Sequence, residues 1–103
     1  MNWKLVLFFI FCLPYGLFAQ KNVVDSLYQS LEKEKMDTNR ITLMCDIGYE
    51  LRVNDPGKAL VITNEALLLA KKIKNIDGQA KSLGTIAIIY RLTGNFPLAL
   101  EYN

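Results

Sequence analysis

The chain contains no histidine, only two cysteines and three prolines, and almost no excess of either charge: its formal charge is +2 over 103 residues. Three of these scarcities, of histidine, cysteine and excess charge, each close a class of function. Without histidine there is no Ser-His-Asp or Cys-His relay and no imidazole metal ligand. Two cysteines are too few for a four-thiolate zinc site. Balanced charge leaves no basic stripe to follow a phosphate backbone, so no nucleic acid is expected as a partner.

Hydrophobicity, 51% of the whole, is concentrated at one end. Residues Met1 to Ala19 read "MNWKLVLFFIFCLPYGLFA", with Lys4 followed by an uncharged apolar run. Pro14 and Gly16 break that run shortly before Ala19-Gln20, where polarity begins. A basic start, a short apolar stretch and a small residue at the cut are the parts of a secretory signal. Leu5 to Ala19 is 15 residues, short of the roughly 20 that a spanning helix needs. Residues 1–19 are therefore read as a signal peptide, with a retained anchor as the alternative. Lipidation is excluded because Cys12 follows Phe11 deep inside the run. Cleavage would remove Cys12, leaving Cys45 alone and no internal disulfide.

Beyond the apolar end, a helical pattern is written twice. Met44, Ile47, Gly48 and Leu51 form one stripe of a 3.6-residue period, and 39 positions later Leu83, Ile86, Ala87 and Tyr90 repeat it. The residue after each isoleucine is small, Gly48 or Ala87, which lets a neighbouring helix come close. Each stripe ends in a break, "NDPG" from Asn54 and "TGNFP" from Thr93. Asp55 before Pro56 is a capping acceptor followed by a first-turn proline, so a new helix starts there. Asn95 has the same place before Pro97. Lys58-Ala59-Leu60 and Leu98-Ala99-Leu100 then open the second helix of each unit.

These residues resemble the tetratricopeptide repeat family. Ile86-Ala87, Tyr90, Gly94-Asn95-Phe96 and Ala99-Leu100 follow its pattern well; Met44, Ile47-Gly48, Ala59 and Ala66 follow it in part. Leu51 replaces an aromatic, and the spacing of about 40 exceeds the family's usual period. The resemblance covers Arg40 to Asn103. It implies an all-α fold of antiparallel helix–turn–helix repeats, an α-solenoid fragment behind the signal peptide. Residues 20–36 are then a leading or capping helix with Val24, Leu27 and Leu31 on one face. Residues 37–78 form a first repeat with Asp37 as N-cap of its first helix. Its second helix, Pro56 to Ile73, packs through Ala59, Thr63, Ala66, Leu67 and Ala70. A loop around Lys74 to Gly78 comes next, and residues 79–103 form a second, incomplete repeat that begins with a helix at Gln79. Because each such unit buries its apolar face on the next, the chain is expected to be the N-terminal part of a longer array.

No arrangement for catalysis stands out, and no cofactor or metal is expected. Asp46 and Glu50, four apart on a helix, read as a solvated face, and Cys45 has no base beside it. Lys71, Lys72 and Lys74 read as cations closing a helix dipole. The resemblance instead implies binding: the first helix of each unit lines a concave groove for a protein or peptide. The groove positions off the packing stripe are Thr42, Cys45, Tyr49 and Arg52 in one unit and Lys81, Gly84, Ile88 and Arg91 in the next. Arg52 and Arg91, 39 apart, are either two solvated arginines or a pair that holds an acidic peptide. The expected function is a non-catalytic, exported scaffold in the periplasm or cell envelope. The alternative is the extracytoplasmic sensory region of a membrane-bound signalling protein such as a sensor histidine kinase. Membrane contact is expected only through the signal or a downstream segment. The signal reading predicts that the exported protein begins at Gln20; N-terminal sequencing that returns Met1 would refute cleavage.

Overall fold

The computed structural model describes residues 22–94, which are all-helical. Residues 1–21, which include the segment read as a signal peptide, and residues 95–103, read as the end of a second repeat, lie outside the described residues. Four helices run in succession: α1 (residues 22–33), α2 (Asp37–Leu51), α3 (Pro56–Lys72) and α4 (Ile76–Leu92). Connections of three or four residues force each helix to fold back beside its predecessor. Among the described residues, no helix is long and apolar enough to cross a membrane.

Helix starts are set by local chemistry. At α3, the Asp55 side chain accepts the Lys58 N–H at 3.1 Å, and Pro56 occupies the first turn where its missing donor costs nothing. At α2 the expected cap is displaced. Met36 is the N-cap and its side chain caps no backbone N–H, while Asp37 sits inside the first turn at the positive end of the dipole. The junction is tied from elsewhere: Arg40 Nη1 donates to the Leu31 and Glu34 carbonyls, at 3.1 Å each, satisfying the open end of α1.

The connection between α3 and α4 is shorter than the sequence suggests. Asn75 caps α4 by accepting the Gly78 N–H at 2.9 Å, so the helix starts at Ile76 rather than Gln79. Gly78 belongs to the first turn of α4 and not to a loop. It is glycine for packing: a Cβ there would lie 3.1 Å from both Ala70 Cβ and Ile41 Cγ2. Helix α3 closes with Asn75 N–H donating to Ala70 O at 2.8 Å and Lys74 N–H to Lys71 O at 3.2 Å. That is a Schellman motif whose left-handed residue, usually glycine, is Lys74 at φ 58°.

Burial matches the anticipated stripes and extends past them. Ile47, Ile86 and Ala87 are fully buried and Met44 nearly so, while Leu51, Leu83 and Tyr90 are half-buried. All five expected contacts of α3, Ala59, Thr63, Ala66, Leu67 and Ala70, are buried. Leu31 is buried and Leu27 half-buried against Ile41, Met44, Cys45, Ile47 and Ile62, so α1 covers one side of the α2–α3 pair. The closest approach is between α2 and α3. A Cβ on Gly48 would collide with Thr63 Oγ1 and stand 3.2 Å from the Ala59 carbonyl. Gly84, by contrast, has nothing within 4 Å of where its Cβ would be.

These two glycines predict opposite outcomes. Gly48→Ala should destabilise the fold by about 1–3 kcal/mol through overpacking, and adding Thr63→Ala should recover part of the loss. Gly84→Ala should stabilise by about 0.5–1 kcal/mol through helix propensity alone. Urea unfolding of the variants decides; equal effects at the two positions would refute the close approach.

Candidate functional site

Helices α2 and α4 lie side by side, and the face they share holds most of the positions singled out from sequence. At the N-terminal ends of the two helices is a cleft of about 350 Å³, lined by Thr38, Asn39 and Thr42 from α2 and by Asn75, Asp77 and Lys81 at the start of α4. Ile41 and Gly78 form its floor. Thr42 and Lys81, which are 39 apart in sequence, thus face one another across one depression. The Thr42 hydroxyl donates to the Thr38 carbonyl at 3.3 Å. Lys81 Nζ lies 3.4 Å from Asp46 Oδ1, both side chains nearly half exposed. Such an open pair contributes roughly 0–1 kcal/mol, so it orders the two side chains more than it stabilises the fold.

Further along α2, Tyr49 is 44% exposed and carries the Arg52 guanidinium 3.8 Å above its ring. Arg52 Nη1 also donates to the Tyr49 carbonyl at 2.6 Å. The arginine is therefore held flat against the helix, by a cation–π contact and a charge-assisted hydrogen bond. On α4, Gly84 and Ile88 are half-buried and Arg91 is exposed in the last turn.

One expected groove residue is not on the surface. Cys45 is 1% exposed, and its sulfur lies 3.4 Å from Ser82 Oγ on α4. The reason is that α2 is covered by three helices. Its buried arc includes a second line, Ile41 and Cys45, which turns toward α4. Ser82 donates its own proton to the Gly78 carbonyl at 2.7 Å, which leaves the Cys45 S–H as donor in the sulfur contact. Burial pushes the Cys45 thiol above its ordinary range, against the opposing pull of the Ser82 hydroxyl and the Lys81 charge.

The residues that sequence reasoning misses are polar ones on these same lines. Ser82 and Thr85 are buried in α4, with Thr85 bonded to the Lys81 carbonyl at 2.9 Å. Their spacing of three, in phase with Ile86 and Ile89, carries the signal. Sequence spacing groups Asp46 with Glu50 as a solvated pair, yet its partner is Lys81 on the neighbouring helix. Compared with known proteins, the chain matches no family model, no curated protein and no solved structure significantly.

The thiol sets a pH prediction. The folded chain holds Cys45 neutral to higher pH than the unfolded chain does. The stabilisation this gives is complete below the ordinary thiol value of about 8.5 and is lost as pH rises beyond it. Stability should fall more steeply between neutral and alkaline pH in the native chain than in Cys45→Ala. Parallel curves from chemical denaturation would refute a perturbed thiol, as would rapid alkylation of Cys45 without denaturant.

Proposed function

We propose that this chain is a non-catalytic helical-repeat scaffold of the tetratricopeptide type, exported through its N-terminal segment, that binds a protein or peptide on the face shared by α2 and α4. The observation that supports it most is the meeting of Thr42 and Lys81 in one cleft, because equivalent positions of successive repeats converge on a single groove in that architecture. The composition of the face agrees with a peptide-like ligand. Hydroxyl, amide and carboxylate groups at the cleft can meet a peptide backbone. Tyr49, Gly84 and Ile88 beyond it offer half-open apolar surface to alternate side chains. Arg52, laid flat on Tyr49, keeps further N–H donors for an acidic side chain.

A photo-reactive residue placed at Thr42 or at Lys81 in the full chain, in its native host, should cross-link to one and the same partner. The same residue at Glu65, exposed on the far side of α3, should not. Adducts at all three positions alike, or different partners at 42 and 81, would refute the shared groove.

A further inference from the structure

The side of α3 that faces away from α2 and α4 is not uniformly polar. Val61 is 60% exposed and Leu68 66%, seven residues apart and so on one line of the helix. The line leads to the α3–α4 turn, where Ile76 is 73% exposed at the first position of α4. Around this apolar line stand Lys71 and Lys72 in the last turn of α3 and Lys74 in the turn itself, all exposed. The acidic groups on the same stretch are Glu65 and Asp77, and neither makes an ion pair with these lysines among the described residues.

Lys74 is the telling member. It occupies the left-handed position of the Schellman motif at φ 58°, where glycine fits the backbone without strain and lysine does not. Lys71 and Lys72 already place two cations at the negative end of the α3 dipole. The fold therefore gains little from a third cation at a position that disfavours it.

We propose that this edge is a docking surface for an anionic lipid bilayer. Exposed branched apolar side chains at a turn and on one helix line can enter the headgroup boundary. The flanking lysines reach along that plane to lipid phosphates with their long stems. The edge is a helix side and a turn rather than a concavity, which suits a flat, charged partner. Its positive groups complement the negative surface, at about fivefold in partitioning per lysine. This surface adjoins the α2–α4 cleft at the α3–α4 turn, where Asn75 and Asp77 line the cleft, but it does not depend on the peptide-binding reading.

The test uses the full chain with Cys12→Ser, labelled with a polarity-sensitive fluorophore at Ile76→Cys or at Val53→Cys. Val53 is 65% exposed and lies just past the C-terminal end of α2, at the opposite end of the helices. With vesicles of mixed phosphatidylglycerol and phosphatidylcholine, the label at 76 should shift to the blue and the label at 53 should not. Pure phosphatidylcholine or high salt should abolish the shift. Combining Lys71→Gln, Lys72→Gln and Lys74→Gly should weaken vesicle binding at this edge by on the order of a hundredfold. The single change Lys74→Gly should raise the thermal midpoint while weakening binding, which separates docking from folding. Equal shifts at 53 and 76, a shift on uncharged vesicles, or binding unchanged in the triple variant would overturn the proposal. So would a shift produced by polyglutamate but not by vesicles, which would assign the edge to an acidic protein.

Discussion

Helix backbones approach α2 and one another more closely than ordinary side chains allow, and most other features depend on that. Where α2 meets α3, the chain places Gly48 opposite Thr63 and Ala59. Where the start of α4 meets both, it places Gly78 against Ala70 and Ile41. Interhelical distance depends on the side chains at the contact, so small residues at these crossings bring the axes together. The gain is dense contact from few residues. Ala59, Ala66, Ala70 and Ala87 are fully buried despite their size. The closeness also explains why Cys45 and Ser82 touch, and why Thr42 and Lys81 share a cleft instead of standing on separate ridges.

Much of this was legible in the residues themselves. Met44, Ile47 and Gly48 declared the packed face of α2 by period, and Ala59 to Ala70 declared that of α3. Asp55-Pro56 declared a helix start because a short acceptor and a proline each suit one position there. Hidden from the sequence were choices between two uses of one residue type. Asp77-Gly78 is ordinary turn chemistry, but Gly78 answers to a steric demand from Ala70 and Ile41, which are distant along the chain. Asp37 is a good cap by type, but Arg40 closes the same junction through the α1 carbonyls. Cys45 reads as outward-facing because a two-helix contact buries one stripe, whereas α2 is flanked by three helices.

The candidate site divides along the same line. Positions read from the 39-residue echo, Thr42 and Lys81, come together because the echo is a property of both helices at once. Asp46 does not echo, and its pairing with Lys81 depends on the rotation of α4 about its own axis. Arg52 shows a third kind of outcome. Its engagement with Tyr49 is local to one turn, three residues apart.

The buried hydroxyls have one more effect. Thr63, Ser82 and Thr85 each donate to a carbonyl four residues back on their own helix. No side-chain hydrogen bond among the described residues crosses from α2 to α3. Their relative placement is then held by shape alone, through a hydroxyl seated in the gap left by a glycine. Such a joint resists compression but has no directional spring against small sliding or tilting. The α2–α3 pair can therefore give a little within itself under load, while the α2–α4 contact, crossed by the Cys45–Ser82 hydrogen bond and the Lys81–Asp46 pair, keeps a direction.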